Sequence, residues 1–278
     1  MVFSLVFKVY STLSTRRFMS DLREAGNRRH IGKVPHYNSI IGYLEKPELT
    51  NLLRELITET SKPLKAIEED FAVDSSGFTT SKFESWYDHK YGTTRRKHTW
   101  VKVHLMCGVK TNIVTAVEIK DKDAADLRQL PSLVNTTAKT FKLNEVSADK
   151  VYNTIGNNDL IDSLGATPFI PFKSTHTGRD KNRKGTGIWE KMFHYFQFQR
   201  EEFLAHYHKR SNVESTFSMI KRKFGDSVRS KTDTAMVNEA LCKLIAHNVV
   251  VLIHEMHEPG ISSMFWQAET TDARQLPA

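Results

Sequence analysis

Apolar residues in the first 70 positions recur at helical spacing. Phe3, Phe7 and Tyr10 share one face, and Leu49, Leu52, Leu53, Leu56 and Ile57 share another over 48–60, with Pro47 ahead of them as a helix start. Pro63 interrupts the pattern and marks a boundary between a helical region, 1–68, and a main domain, 69–258. From Phe71 the periodicity shortens. Phe71-Ala72-Val73 reads as a strand halted by the polar turn Asp74-Ser75-Ser76-Gly77, which puts Asp74 at a strand end. Over 100–109, Val101, Val103, Leu105, Cys107 and Val109 alternate with Lys102, His104 and Met106, and 112–119 reads as the return strand.

Leu127, Leu130, Leu133 and Val134 predict helix within 123–141, broken or restarted at Pro131. Glu145-Val146-Ser147-Ala148 is a short strand that again ends on an acid, Asp149, and a helix over 159–164 and a strand over 167–172 follow. The stretch 173–191 is polar, basic and glycine-containing and reads as a loop, and a long helical pattern runs from near Glu201 to about Phe224. A last helix over 234–257 is apolar enough to pack on a sheet, and 259–278 reads as a loosely ordered tail. Strands interleaved with helices make the expected class α/β, a mixed sheet flanked by helices behind a small helical N-terminal region.

Charge adds a direction. Forty Lys and Arg against 32 Asp and Glu leave a net charge of +8 and a pI near 9.3. That excess favours a polyanionic partner and excludes an acidic disordered tail. Cys107 and Cys242, in no Cys-x-x-Cys pattern, exclude a disulfide framework or a zinc knuckle and fit a reducing cytoplasm. The N-terminal apolar run is broken by Lys8, and the run 249–253 is far shorter than the roughly 20 residues of a membrane span, so no membrane contact is expected. Arg16, Arg17 and the basic stretch 23–33 with Gly26 and Gly32 read either as a helix-turn-helix contact to DNA or as a solvated helical face.

If 207–221 is one α-helix, then relative to Glu214, Tyr207 lies at about +20°, Arg210 at about −40° and Lys221 at about −20°. Val213 and Ile220 form a neighbouring apolar stripe that can bury the helix against a sheet. Taken alone, Arg210 and Glu214 read equally well as an ordinary i,i+4 ion pair. Asp74 and Asp149 at strand ends change the picture, because a mixed sheet can bring both beside Glu214. Three carboxylates suit two hard divalent cations, which prefer a few oxygen ligands plus substrate phosphate and water. The cations on the helix stripe would then hold DNA phosphates.

Tyr207-x2-Arg210-x3-Glu214-x6-Lys221, preceded by Asp74 in Ala-Val-Asp-Ser-Ser-Gly-Phe and Asp149 in Ser-Ala-Asp-Lys-Val-Tyr, closely resembles the prokaryotic insertion-sequence transposases of the DDE class. The resemblance covers roughly 70–255. It implies a ribonuclease H-like core, with Asp74, Asp149 and Glu214 as catalytic residues and ligands of Mg²⁺, or Mn²⁺ as a substitute, at two ion sites. It further implies DNA cleavage and strand transfer at the terminal inverted repeats of an element, with Tyr207, Arg210 and Lys221 on DNA near the cleaved phosphate. Double-stranded DNA, both element ends and target, is the implied partner, and pairing of two ends implies a homodimer. Val151 stands where relatives carry a small residue, and the chain starts within its helical region, so a truncated DNA-binding remnant without catalysis is the second expectation. A host nuclease with the same core is the third.

Weaker signals complete the reading. Arg95, Arg96 and Lys97, beside Tyr91 and Trp100, read as a basic hairpin tip on DNA or as a solvated hairpin. Trp189 and Phe193, in or just after the basic loop, read as core aromatics ahead of a base-stacking role. The loop's glycines lack the Gly-x4-Gly-Lys-Ser/Thr spacing, so no nucleotide cofactor is expected. His206, His208, His254 and His257 lack zinc-protease spacing and read as structural or surface residues. Asp121, Asp123 and Asp126 are further acids near the first strands, with Asp123 best explained as a helix cap.

Overall fold

The computed structural model describes residues 1–80, 100–120, 126–178 and 187–258. The basic segment with Arg95, Arg96 and Lys97, the acids Asp121 and Asp123, and the tail 259–278 lie outside the described residues.

Four helices open the chain: α1 (Val2–Ser11), α2 (Thr15–Asn27), α3 (Tyr37–Leu44) and α4 (Glu48–Ser61). Ser14 caps α2 by accepting from the Arg17 amide, and Pro47 precedes the first turn of α4, whose Leu49, Leu53 and Ile57 form its buried face. Among the described residues one sheet has five strands in the order β3-β2-β1-β4-β5. These are β1 (Asp70–Thr79), β2 (Trp100–Gly108), β3 (Val114–Lys120), β4 (Glu145–Ala148) and β5 (Thr167–Phe169). The first three pair antiparallel, while β4 and β5 join parallel to β1. The helices after β3 are α5 (Leu130–Ala138), α6 (Ile155–Ser163), α7 (Ile188–Phe198), α8 (Arg200–Tyr207), α9 (Ser211–Phe224) and α10 (Asp233–His257).

Both faces of the sheet are covered, which is why its strands carry apolar residues on both sides. Phe71, Val73, Met106, Val146 and Ala148 pack with α5 and α6. Ala72, Phe78, Val103, Leu105 and Cys107 pack on the opposite face with Val213, Phe217 and Ile220 of α9 and with α10. Leu5, Phe18, Leu22, Leu53 and Ile57 of the N-terminal helices belong to this same cluster. Polar bonds reinforce it: Asn238 donates to the Leu44 and Lys46 carbonyls, and Asn248 both accepts from the Val114 amide at 2.9 Å and donates to its carbonyl at 2.8 Å.

Several details differ from the sequence reading. Strand β1 does not stop at Asp74; it continues through Ser75-Ser76-Gly77 to Thr79, because β2 supplies antiparallel partners along its whole length. Pro131, by contrast, restarts the helix as one of the two expected alternatives, since the first turn needs no amide at that position. Trp189 and Lys191 lie in α7 and not in a loop, and the Trp189 indole donates to Asn153 Oδ1 at 2.9 Å within an aromatic cluster. The run 249–253 is part of the 25-residue α10, which is long and apolar enough to cross a membrane by length and composition. Its apolar window is 78% buried inside this fold, so α10 is a core helix. Both cysteines are free and buried, and burial pushes the Cys107 thiol up to about 12.

Candidate active site

Strands β1 and β4 run parallel with Val73 opposite Ala148. One step further along each strand stand Asp74 and Asp149. Alternation puts Asp74 on the side of Ala72 and Phe78, the side that α9 covers, and the register Ala72–Ser147 carries Asp149 to that side as well. Asp149 caps a short 3₁₀ turn, Lys150–Tyr152, by accepting from the Lys150 amide at 2.6 Å. That bond fixes its carboxylate where the strand has just ended.

Glu214 arrives from the other layer. Val213, Phe217 and Ile220 bury α9 against the sheet, so Glu214 projects along the edge of that contact into solvent, with 57% of its side chain exposed. Arg210 joins the two layers: its Nη1 donates to Asp74 Oδ2 at 2.7 Å and its Nη2 to Glu214 Oε1. Asp74 also accepts from the Ser75 amide at 2.8 Å. Burial pushes the Asp74 carboxyl up; the Ser75 amide and Arg210 oppose this, while Asp149 and Glu214 push it further up, and the balance is raised.

An open groove of about 680 Å³ runs beside them, lined by Asp74, Ser76, Glu214, Lys221, Arg222 and Asp226 among others. The Lys221 Nζ donates to Ser76 Oγ at 2.7 Å and lies over the Phe78 ring, and burial lowers its pKa. Gly225, at φ 85°, ends α9 in a conformation that favours glycine and turns the chain at the groove rim. Lys243 holds that turn from beneath through the carbonyls of Gly225 and Ser227, at 2.9 and 2.7 Å.

The family pattern described as Transposase DDE domain matches residues 65–249, more than half of the chain and a span within which Asp74, Asp149 and Glu214 fall. The chain belongs to the DDE transposase family. No curated protein matches it at a significant level. The ribonuclease H-like mixed sheet expected from the sequence is the fold observed, and membership makes the transposase a DNA-cleaving enzyme of a family that works with divalent metals.

In this transposase the single helix expected over 207–221 is three pieces. Tyr207 ends α8, residues His208–Arg210 form a 3₁₀ turn, and α9 begins at Ser211. Arg210 nonetheless stays within reach of Glu214 and 5.9 Å from the Tyr207 ring centroid. Four residues before each strand acid lies another acid, Asp70 and Glu145, and both are held by Lys209 at 2.8 and 2.7 Å. The sequence reading passed over this trio, although the repeated acid-x3-acid spacing on two strands is visible in the chain. His206 is structural as expected: it pairs with Glu145 at 2.9 Å and stacks on Phe169.

Proposed function

We propose that the transposase hydrolyses a phosphodiester at the ends of an insertion sequence and joins the exposed 3′-hydroxyl to target DNA, using Asp74, Asp149 and Glu214 as ligands of divalent metal. The observation that carries this reading is the matched step of Asp74 and Asp149 beyond a parallel register pair, with Glu214 of α9 tied to Asp74 through Arg210. The donor set is all carboxylate oxygen, the chemistry that hard divalent cations take. The upward push of Asp149 and Glu214 on Asp74 marks a concentration of negative charge, on which the Arg210 guanidinium rests as a cation. Among the described residues no three such groups converge closely enough to chelate an ion as they stand. In this reading Arg210 therefore yields its carboxylates and turns to DNA.

Two bound Mg²⁺ or Mn²⁺ ions would supply activation of the attacking oxygen and neutralisation of charge on the leaving oxygen. The protein's own groups do the rest. Lys221 and Arg222, in the groove wall, bind phosphates on either side of the scissile bond. Arg210, with Tyr207 beside it, orients the phosphate next to the carboxylates, which completes the role expected for the Tyr-x2-Arg-x3-Glu-x6-Lys signature of its subgroup. Double-stranded DNA is the partner, with a second copy of the chain holding the other end of the element.

The test is nicking of supercoiled DNA carrying the element ends, with Mn²⁺ or Mg²⁺, by wild type and by Asp74→Ala, Asp149→Ala and Glu214→Ala, alongside DNA binding. Cleavage by wild type alone supports the reading. Equal cutting by all three variants overturns the site, and salt-sensitive binding without any cleavage favours a DNA-binding remnant.

A further inference from the structure

Lys209 lies inside the 3₁₀ turn His208–Arg210, at a position the Tyr-x2-Arg-x3-Glu-x6-Lys signature leaves open. Its Nζ sits 2.8 Å from Asp70 Oδ2 and 2.7 Å from Glu145 Oε2. Asp70 and Glu145 are register partners on β1 and β4. Lys209 therefore straddles the same two strands that carry Asp74 and Asp149, on the same face, four residues upstream on each, or roughly 13 Å at strand rise. The next residue, Arg210, reaches the other way, to Asp74 and Glu214.

The clamp is well made. Asn144 donates to the second oxygen of Asp70 at 2.9 Å, and His206 takes the second oxygen of Glu145 at 2.9 Å. Asp70 and Glu145 are only 17% and 14% exposed, so Lys209 is their shared counter-ion in a partly desolvated place. Burial alone would lower the Lys209 ammonium; its hydrogen bonds to the two acids outweigh that and raise it. Burial likewise pushes Asp70 up, and the bonds from Lys209 and Asn144 reverse it. Both directions favour the ionised pair. The turn so anchored is the junction between α8 and α9, and Glu214 stands one helical turn beyond it. No atom of Lys209 is bonded to Asp74, Asp149 or Glu214; it acts on them only through the turn it fixes.

We infer that Lys209 is a positioning residue: by clamping the 208–210 turn to Asp70 and Glu145 it sets the distance of Arg210 and Glu214 from the Asp74–Asp149 pair, and so the affinity of the site for divalent metal. This rests on the reading of Asp74, Asp149 and Glu214 as metal ligands. The experiment measures Mn²⁺ binding by calorimetry in the absence of DNA, on the full chain, for wild type, Lys209→Met, Lys209→Arg and Asp149→Ala, together with melting temperature and salt-dependent DNA affinity. Lys209→Met should weaken Mn²⁺ binding about 10-fold or more, within the range for groups that orient metal ligands, and shift the Mn²⁺ midpoint of nicking to match. DNA affinity measured without metal, where Arg210 stays on Asp74 and Glu214, should stay unchanged, and Lys209→Arg, which can fork across both acids, should recover most of the loss. If Lys209→Met does not fold, Glu145→Gln, which keeps an acceptor for Lys209, should weaken Mn²⁺ binding in the same direction. A lower melting temperature with unchanged Mn²⁺ affinity would leave Lys209 a structural residue and overturn the inference. Mn²⁺ binding that ignores Asp149→Ala would instead sink the metal-site reading beneath it.

Discussion

Arg210 places one guanidinium nitrogen on Asp74 and another on Glu214, so a single side chain spans the sheet and the helix layer that carry these acids. Removing one acid from this arrangement is expected to separate stability from activity. The fold raises the Asp74 pKa, which means that its ionised form at neutral pH is disfavoured by burial and by its acidic neighbours. Asp74→Asn keeps an oxygen for the Ser75 amide and removes that charge. The variant should melt at or above the wild-type temperature while metal-dependent nicking falls by about 10²-fold or more, the scale of losing a group that acts on developing charge. A clear drop in melting temperature with cleavage retained would contradict both halves.

Lys221 should behave as a phosphate contact. It lines the groove beside Asp74, anchored to Ser76 Oγ at 2.7 Å. Lys221→Gln is expected to weaken DNA binding uniformly across sequences and to lower the slope of log K against log salt by about 1. Titrations at several salt concentrations measure it; an unchanged slope would place Lys221 off the DNA.

A buried lysine gives the stability a pH signature. Burial lowers the Lys243 ammonium to about 8, against an unfolded value near 10.4. Between those values the unfolded chain binds a proton that the folded chain has released, so stability from this group rises with pH over roughly 8 to 10. Urea midpoints at pH 7.5 and 9.5 should show wild type gaining on the order of 1 kcal/mol relative to Lys243→Met, whose difference isolates the group. Parallel pH responses of the two proteins would refute it.

Asn248 satisfies four backbone or side-chain partners from inside α10: the Val114 amide and carbonyl, the Ile57 carbonyl and the Thr60 hydroxyl. Asn248→Ala leaves buried polar groups unpaired and should cost about 2–4 kcal/mol. Denaturant unfolding measures this directly, and a cost under about 1 kcal/mol would mean that water or a local shift replaces the amide.

The parts of this protein that were readable in its sequence are those whose pattern is local. Alternation marked β2, apolar spacing marked α4 and α10, and an acid after a short apolar run marked Asp149. The errors came where a distant partner decides. Asp74-Ser75-Ser76-Gly77 has the composition of a turn, yet it is strand because Leu105, His104, Val103 and Lys102 pair with it. The 3₁₀ turn at His208–Arg210 has no glycine or proline to announce it; it is set by Lys209 meeting Asp70 and Glu145, 139 and 64 residues away. The three acids proposed as catalytic stood out only as a spaced set, since each alone is an ordinary carboxylate.

The central place of α10 governs the order in which the chain can mature. It is the last element among the described residues, and its buried side chains join the cluster that covers the Asp74 face of the sheet. During synthesis the strands emerge before α10, and that face, which the N-terminal helices and α9 cover only in part, stays partly open to solvent and to other nascent chains until residues 233–257 leave the ribosome. A product terminated before Asp233 would carry every acid of the site and still lack the helix that closes the core, which makes it a substrate for aggregation or proteolysis and not a competitor for DNA.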